Sequence, residues 1–443
     1  MSYTLPKAFG LTQTNSPQMV AFTGAGGKTS LMFILAGTLP GKIVITTTTR
    51  MAREQIEFAA RSIPAAVSRY PSLLPIACTR ITTIVGPDVE ENKVAGVGLE
   101  VPGRLLAQPD VSFVLVEADG ARKLPLKAPA AHEPALPPQT TLVVPVTGID
   151  ALGKTIDTAA HRPELVAALL GKDVHDRVET QDLAVVMTHP QGALKNEPPA
   201  ARVIAVINKV EDGDQLKDAR GTARAILREP RIQQVVIAAA ERPDPVVEVH
   251  KRVTATLLAA GESSRMGQAK LLLPWGDTTV LGRTIRNVQK SAVFDSLVVT
   301  GAQAQDVADI ARAAGLPTLF NEHYSTGEML SSLQMAVRHL PAHIDAVLVM
   351  LGDQPLVEPE TIDRSLSAYW QGKGEIVAPQ FKSRRGNPVL IDRRYFEELL
   401  ARSPGSAPRD LLKKHPAYLV PVESESVLLD IDDPTEYERL RPG

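Results

Sequence analysis

The stretch MVAFTGAGGKTS, residues 19–30, runs from apolar residues into a glycine loop with a lysine and a threonine, and the apolar stretch LMFILAG follows. A buried strand that ends in such a loop and opens into a helix presents backbone N–H groups to an anion. The glycines allow the chain to turn, the lysine can reach outer phosphates, and the threonine is placed to bind Mg²⁺. The pattern G-x-x-G-K-T therefore predicts a phosphate-binding loop. The residues assigned to nucleotide binding are Gly24, Gly26, Gly27, Lys28, Thr29 and Ser30.

Short apolar runs alternate with helical stretches throughout the first half of the chain. The runs are apolar at consecutive positions rather than alternate ones, which predicts a sheet covered on both faces and therefore mostly parallel. The predicted strands are MVAFT, KIVITTTT, SFVLVEADG, TLVVPVTG, RVIAVINK and QQVVIAAA, and the predicted helices include TSLMFILAGTL and MAREQIEFAARS.

The same alternation of apolar runs and helical stretches begins again in the second half, after the proline-containing and charged stretch ERPDPVVEVHKR. Strands are predicted at VTATLLAAG, SLVVTG, AVLVMLGD and EIVAPQ, and helices at MLSSLQMAVRHL and ETIDRSLSAYW. The stretch between the halves breaks both periodicities, so we place a domain boundary there and predict domains at 1–247 and 248–443. The fold class is α/β, with two doubly wound, mostly parallel-sheet domains.

Composition excludes several classes of protein. The 443 residues are 44% hydrophobic and 22% charged, with a formal net charge of −2, which argues against nucleic acid as a partner. The single cysteine, Cys78, cannot form an intramolecular disulfide and is interpreted as a buried apolar residue. No apolar run reaches the length of a membrane-spanning helix, and the N-terminus does not resemble a signal peptide, so we expect a cytoplasmic protein without a membrane partner.

Two further segments of the first domain carry polar residues at strand ends. Glu117 and Asp119 end an apolar strand, the position from which an acid holds Mg²⁺ or orients water. Asn208 and Lys209 follow another buried strand, with Glu211 in the position of the acid in the N-K-x-D element that reads guanine. Together with the glycine loop they predict a nucleotide site for ATP or GTP, although each alone is more often a solvated strand end.

The string VEADGARKLPLKAPAAHEP, residues 116–134, together with VITTTTRM, GIDALGK, AAHRPE and THPQGALK, resembles the YqeC family of accessory proteins for selenium-dependent molybdenum hydroxylases. The resemblance covers most of residues 15–240. It implies a P-loop NTPase-like nucleotide-binding domain, a role in hydroxylase maturation, and an apo molybdenum hydroxylase as a partner. Arg122, Lys123 and Lys127 are candidates for binding an anionic ligand, although a solvated loop explains them almost as well.

A second glycine loop opens the second domain. In LLAAGESSRMGQAK, residues 257–270, backbone donors and two cations follow a buried strand and suit a nucleoside triphosphate. Farther on, Asp353 ends the strand AVLVML, and Asp430, Asp432 and Asp433 end the segment VLLDIDD, so carboxylates from distant segments suit Mg²⁺. The alternative for these acids is helix capping.

These strings resemble the MobA-like nucleotidyltransferases, including the molybdenum cofactor cytidylyltransferases, over residues 253–440. FNEHYSTGEMLSSLQMAV, GDQPL and RRGNPVL are similar to further segments of that family. The resemblance implies a Rossmann-like domain in which Arg265, Lys270 and Asp353 are catalytic and Asp353 and Asp432 bind metal together. The residues implied in nucleotide binding here are Leu258, Ala259, Ala260, Gly261, Arg265, Gly267, Lys270 and Ser332.

The resemblance favours CTP over GTP because the guanylyl enzymes carry glycine where Ala260 stands. It implies that CMP passes from CTP to the phosphate of molybdopterin, with release of pyrophosphate and with Mg²⁺ as cofactor. Two alternatives stay open: transfer to another small phosphate, such as a sugar phosphate, and a non-catalytic cofactor carrier or chaperone with a nucleotide switch.

Overall fold

The computed structural model describes residues 3–13, 16–54, 66–69, 80–90, 92–263, 265–325, 328–403 and 409–442. The chain divides into two compact units, Ser2–His250 and Lys251–Gly443. The division falls three residues beyond the predicted one, because the last residues of the linker-like stretch belong to a strand of the first unit. Cys78 lies outside the described residues.

The first unit contains both strands and helices. The strands are β1 Gln18–Gly24, β2 Lys42–Thr47, β3 Met51–Ala52, β4 Ala66–Arg69, β5 Ile81–Val85, β6 Asp88–Glu90, β7 Lys93–Val94, β8 Val111–Glu117, β9 Leu126–Lys127, β10 Leu142–Gly148, β11 Ala160–His161, β12 Arg202–Asn208, β13 Ile232–Ala238 and β14 Val246–His250. The α-helices are α1 Leu5–Ala8, α2 Lys28–Thr38, α3 Val101–Leu106, α4 Ile156–Ala159, α5 Pro163–Leu170, α6 Thr180–Thr188 and α7 Gly213–Ile226, and a 3₁₀ helix spans Ile149–Ala151.

The main sheet of the first unit has nine strands in the order β14-β13-β12-β10-β1-β8-β2-β5-β4. Every pair in it is parallel except β13 with β14, which confirms the mostly parallel sheet predicted from the continuous apolar runs. Strands β1, β8 and β10 lie side by side at its centre and are buried along nearly their whole length. The glycine loop therefore leaves the sheet at its centre, where loops from neighbouring parallel strands converge.

One of the two helices predicted near the start of this unit is confirmed and the other is partly wrong. TSLMFILAGT lies in α2, which packs Leu31 and Leu35 into the core. In MAREQIEFAARS, Met51 and Ala52 form β3 instead, because they pair with β7 in a small antiparallel sheet. Residues 55–62 of that prediction lie outside the described residues.

The second unit is also α/β. Its strands are β15 Val253–Ala259, β16 Pro274–Trp275, β17 Thr278–Thr279, β18 Asp295–Thr300, β19 Thr318–Phe320, β20 Ala346–Leu351, β21 Ile376–Phe381, β22 Arg384–Arg385, β23 Val389–Asp392 and β24 Tyr418–Val422. Its α-helices are α8 Val280–Lys290, α9 Ala304–Ala313, α10 Glu328–His339, α11 Pro359–Trp370, α12 Phe396–Leu400, α13 Arg409–Lys414 and α14 Pro434–Leu440, and 3₁₀ helices span Lys270–Leu272, Arg393–Tyr395 and Glu425–Leu428.

The sheet of the second unit has the order β19-β18-β15-β20-β23-β21-β22, with β24 beside β21. Strands β19, β18, β15 and β20 are parallel, whereas β23 runs antiparallel to both β20 and β21. The predicted strands and both predicted helices, now α10 and α11, are confirmed. The strand β15 lies between β18 and β20, so its glycine loop also emerges near the middle of the parallel part.

Among the described residues, no helix combines the length and the apolar character that crossing a bilayer requires.

The antiparallel edge strand β14 carries a buried ionic network. The carboxylate of Glu248 is fully buried and accepts hydrogen bonds from Arg220 Nε at 3.0 Å and Nη2 at 2.6 Å, and it lies 2.8 Å from His250 Nε2. Burial opposes ionisation of Glu248, but the hydrogen bonds and charges of His250 and Arg220 outweigh it and hold its pKa at about 2. The network fastens β14 to α7.

Because the pKa of Glu248 is depressed in the folded state, its contribution to stability is present above pH 4.5 and is lost as the pH falls toward 2. We predict that Glu248→Gln lowers the free energy of unfolding by about 3 kcal/mol at pH 7, and that the deficit shrinks through this window. Denaturant titrations at several pH values measure it. The exposed Glu241→Gln is the control, and an equal, pH-independent deficit in both variants would contradict the prediction.

Candidate functional sites

The loop after β1 has the backbone geometry that its glycines predict. Gly24, Gly26 and Gly27 all have positive φ, at 86°, 75° and 110°, in the left-handed region that favours glycine. A methyl group at Gly26 would also overlap the backbone nitrogen of Gly148, the last residue of the neighbouring β10. Both the turn and the close approach to β10 therefore require glycine here.

Lys28 is the first residue of α2 and is almost fully buried. Its Nζ donates to the carbonyl oxygen of Gly24 at 2.7 Å and lies 3.2 Å from Asp119 Oδ1, while Asp119 Oδ2 accepts from the N–H of Gly24 at 2.9 Å. The predicted lysine and one predicted acid are thus brought together across β1 and β8. This arrangement neutralises a buried cation within the loop itself.

Thr29 and Glu117 form the second contact between α2 and β8. The Thr29 hydroxyl donates to Glu117 Oε2 at 2.7 Å. Burial raises the pKa of Glu117, against the opposing effects of Lys28 and of the Thr29 hydrogen bond. A hydroxyl and a carboxylate in contact at a strand end are oxygen donors of the kind that Mg²⁺ prefers, so the donor set fits the predicted metal.

Neighbouring segments occupy the first N–H groups of the loop. Ala25 N donates to Val146 O at 2.8 Å and Gly26 N donates to Leu124 O at 3.0 Å. In the part of the chain that the structure describes, no acceptor faces the N–H of Gly27 or Lys28, at the start of an eleven-residue helix. These are the donors that a helix N-terminus offers to an anion. Ser30 lies in the same turn of α2 and is exposed.

The segment predicted to read guanine makes contacts that hold the loop together. The amide of Asn208 donates to Gly26 O at 2.8 Å and accepts from Ala240 N at 3.1 Å, so it supports the glycine loop from β12. Lys209 lies 3.1 Å from Asp150 Oδ2, and Glu211 pairs with Arg242. Asp212 caps α7 by accepting from Gln215 N at 2.8 Å. The structure thus brings Asn208 to the loop and gives each of the charged side chains a protein partner.

In the second unit, Lys270 lies between two of the predicted carboxylates. Its Nζ is 2.5 Å from Asp353 Oδ2 and 2.9 Å from Asp432 Oδ1, and Arg265 Nη1 lies 3.4 Å from Asp432 Oδ2. Burial lowers the pKa of Lys270, but the two carboxylates outweigh it and raise the pKa overall. The structure thus joins residues that lie far apart in the sequence.

The three C-terminal aspartates have different partners. Asp433 caps α14, accepting from Thr435 N at 2.8 Å and Glu436 N at 2.9 Å, so the capping alternative applies to this residue. Asp430 accepts from the amide of Gln354; burial and the charge of Asp353 raise its pKa to about 6. Only Asp432 of the three pairs with Lys270 among the described residues.

Asp353 is not a helix cap, because α11 begins at Pro359 after Glu358. The carboxylates of Asp353 and Asp432 converge on one ammonium, which shows that a single cation can contact both. Throughout the described ranges, no group of three or more His, Cys, Asp or Glu side chains is placed to hold a metal ion. Two carboxylates suit Mg²⁺, which commonly takes its remaining ligands from phosphate oxygens and water.

The glycine loop of the second unit does not lead directly into an α-helix as the first one does. Here the loop is followed by the 3₁₀ helix Lys270–Leu272, and α8 begins only at Val280. The short hairpin β16–β17 occupies the intervening chain. This loop therefore offers an anion backbone N–H groups and cations rather than the N-terminus of an α-helix.

The remaining residues of the second loop differ in burial and backbone geometry. Met266 is buried against Trp275 and Ile431, whereas Arg265 is largely exposed and Gly267 has a φ of 68°. Leu258 and Ala259 end β15, and Ala260 follows with Gly261 exposed. The predicted Ser332 is buried and accepts from Asn321 Nδ2 at 3.0 Å. Gly327 lies outside the described residues.

Sequence analysis missed the ionic chain behind the first loop. Lys127 Nζ, fully buried, lies 3.1 Å from Asp119 Oδ2 and 2.8 Å from Glu133 Oε2, and Arg162 pairs with Glu133. Burial opposes ionisation of Glu133, but Arg162 and Lys127 hold its pKa at about 2. The sequence feature that could have revealed this ionic chain is the presence of charged residues inside an otherwise apolar and proline-rich segment.

Comparison with known proteins assigns each unit separately. The YqeC protein family model matches residues 20–164, and that of the MobA-like NTP transferase domain matches residues 255–418. The chain is 34% identical to the uncharacterized protein YqeC of Escherichia coli K12 over 205 residues, which are 44% of this chain and 76% of that protein. This chain belongs to the YqeC family and also contains a MobA-like NTP transferase domain.

The second unit is 29% identical to the molybdenum cofactor cytidylyltransferase of E. coli K12 over 185 residues, which are 41% of this chain and 91% of that enzyme. The crystal structure of Rv0371c from Mycobacterium tuberculosis H37Rv is 29% identical, covers 43% of this chain and 98% of that one, and has a TM-score of 0.37. The fusion inferred from the sequence motifs is confirmed, and the second unit is a nucleotidyltransferase. Asp430 and Asp432 lie beyond the matched family residues.

We predict that Gly26→Ala destabilises the first unit by at least about 2 kcal/mol more than Gly153→Ala. Both glycines have a φ of 75°, but only Gly26 faces neighbouring backbone, whereas nothing lies within 4 Å of a methyl group at Gly153. Gly153→Ala therefore measures the cost of the left-handed backbone alone, about 1 kcal/mol. Chemical denaturation of both variants checks the difference, and equal losses would refute the close approach to Gly148.

Proposed function

We propose that the second unit transfers CMP from CTP to the terminal phosphate of molybdopterin and releases pyrophosphate. The observation that carries this proposal is the convergence of Asp353 and Asp432 on Lys270 beside the glycine loop after β15. The relationship to the E. coli molybdenum cofactor cytidylyltransferase supports molybdopterin as the acceptor and CTP as the donor. Ala260, in place of the glycine of guanylyl enzymes, supports the same choice of base.

The proposed reaction needs no protein nucleophile. A phosphate oxygen of the acceptor is anionic at neutral pH; it attacks the α-phosphorus, a phosphoanhydride bond forms, and the bond to the β-phosphate breaks. Lys270 and Arg265 then stabilise the negative charge that develops on pyrophosphate. Lys270 must exchange its carboxylate partners for phosphate oxygens to do this, and its neighbour Asp353 is left to hold the metal.

Asp353 and Asp432 are the residues that would hold Mg²⁺ in the second unit. When bound, the ion supplies charge stabilisation and orientation to the phosphate oxygens. Asp432 is the more exposed of the two. The exposed side chain of Arg265 beside it can move and contact the triphosphate.

For the first unit we propose a purine nucleotide site, for ATP or GTP, on the GAGGKTS loop. The N–H groups of Gly27 and Lys28 at the start of α2 support phosphate binding, and the contact between Thr29 and Glu117 supports a metal position beside it. Slow hydrolysis of the nucleotide, with Asp119 and Glu117 near the loop, is part of the proposal. In this role the unit would serve maturation of selenium-dependent molybdenum hydroxylases, with the apo hydroxylase as a partner.

A sugar phosphate acceptor is the second candidate. The chain is 31% identical to the bifunctional protein GlmU of Symbiobacterium thermophilum over 119 residues, but these are only 25% of that protein. The longer match to the cytidylyltransferase therefore favours molybdopterin. A non-catalytic carrier of the finished cofactor would bind it without releasing pyrophosphate. An assay of pyrophosphate release with each candidate acceptor therefore separates all three functions.

We predict that Asp353→Asn and Asp432→Asn each reduce pyrophosphate release from CTP and molybdopterin by at least about a hundredfold, since each removes a charged oxygen donor. Asp433→Asn, which alters only the cap of α14, is the matched control and should retain most activity. A coupled pyrophosphate assay with CTP, GTP and a sugar phosphate as alternative substrates measures this. Full activity of Asp432→Asn would show that Asp432 is not a metal ligand.

We predict that Lys28→Ala abolishes Mg²⁺-dependent binding of ATP or GTP to the first unit while CTP binding to the second unit persists. The buried ammonium is the cation placed at the loop, and its removal also leaves Asp119 with one cation fewer. Calorimetric titration of the full chain with each nucleotide measures both sites. Purine nucleotide binding unchanged by Lys28→Ala would show that the loop is only a structural turn.

A further inference from the structure

The segment between β8 and β9 lies directly on the GAGGKTS loop. At one end Asp119 accepts from Gly24 N at 2.9 Å, and at the other Leu124 O accepts from Gly26 N at 3.0 Å. Lys127 also holds the segment in place, because its Nζ lies 3.1 Å from Asp119 Oδ2. The position of this segment is therefore fixed relative to the glycine loop.

The tip of the segment is a tight turn with two cations at its centre. Leu124 N donates to Ala121 O at 3.0 Å, and the central residues Arg122 and Lys123 have φ values of 49° and 62°. Glycine and asparagine are the residues that adopt two successive positive φ values at least cost, so arginine and lysine are unfavourable choices for the turn alone. Chain reversal therefore does not explain the choice of these two residues.

These two cations differ from the others around the loop in having no counter-charge. Lys28 and Lys127 pair with Asp119, and Arg162 pairs with Glu133. Arg122 and Lys123 are exposed, and within the described part of the chain no carboxylate forms an ion pair with either of them. The turn therefore carries two uncompensated positive charges against the glycine loop.

The neighbourhood of His161 shows independently that positive charge accumulates here. His161 lies on β11, paired with Lys127 of β9. Burial lowers the pKa of His161, and the charges of Arg162, Lys127 and Arg122 lower it further. Glu133 acts in the opposite direction but does not balance them.

We propose that Arg122 and Lys123 form a basic clamp that binds the terminal phosphate of a nucleoside triphosphate held on the GAGGKTS loop, so that the first unit distinguishes a triphosphate from a diphosphate. The proposal rests on the nucleotide site proposed above and adds to it the phosphate that is recognised. The two charges reach the ligand from a rigid turn that is hydrogen-bonded to the loop. The backbone of the turn is already ordered, so the conformational entropy lost on binding is that of the two side chains.

The test is the ratio of ATP to ADP affinity, and of GTP to GDP affinity, in the full chain carrying Asp353→Ala, which removes a proposed metal ligand from the nucleotide site of the second unit. We expect Arg122→Gln and Lys123→Gln each to weaken triphosphate binding by about tenfold, the effect of one charge-assisted hydrogen bond, and to leave diphosphate binding within about twofold. The control is Lys217→Gln, an exposed lysine of α7 without an ion pair in the described structure, which should change neither.

Arg122→Gly separates the clamp from the turn. Glycine relieves the left-handed backbone, so this variant should fold at least as stably as the parent and yet lose triphosphate affinity as Arg122→Gln does. An unchanged ratio of triphosphate to diphosphate affinity in the Gln and Gly variants would overturn the clamp. An equal loss of affinity for both nucleotides would overturn it as well. Absence of any ATP or GTP binding by the parent chain would instead overturn the proposed nucleotide site, so the two failures are distinguishable.

Discussion

Both units depend on a lysine ammonium that pairs with a carboxylate just beyond the end of a central strand. Lys28 lies against Asp119 in the first unit, and Lys270 lies between Asp353 and Asp432 in the second. A buried charge is tolerated only when it is paired, so the loops that carry these lysines are fixed in place by the acids of the neighbouring strands. The strand order is what makes the pairing possible, because β1 adjoins β8 and β15 adjoins β20.

The same pairing constrains how each site can work. In the first unit, Asp119 keeps Lys127 as a partner if a phosphate group takes Lys28 from it. In the second unit, a phosphate group that takes Lys270 from Asp353 leaves that carboxylate without a counter-charge, and a divalent cation is the natural replacement. Phosphate and metal should therefore bind together rather than one after the other. In both units, a phosphate group would therefore compete with a carboxylate for the lysine.

Much of the fold was predictable from sequence because continuous apolar runs specify buried parallel strands, and glycine loops mark where those strands end. The roles of single polar residues were harder to predict. The contact of Asn208 with Gly26 was not predicted, because the sequence does not show which loop the end of β12 faces. Similarly, Asp430, Asp432 and Asp433 are indistinguishable in sequence, and their different partners follow only from the return of the C-terminal segment to Lys270. The choice of strand at Met51 depended on pairing with β7, which lies well beyond it in the sequence.

The last strand of the first unit has a practical consequence for separating the two units. Strand β14 ends at His250, and the second unit begins at Lys251, so no spare linker lies between them. A cut at the boundary that proline and charge suggest, after residue 247, would remove Glu248, Val249 and His250 and leave the edge of β13 partly uncovered. Exposed strand edges pair with other chains and promote aggregation. The halves of this fused protein should therefore be expressed separately only with β14 kept whole, and poor solubility of a shorter fragment would reflect the cut rather than a dependence of one unit on the other.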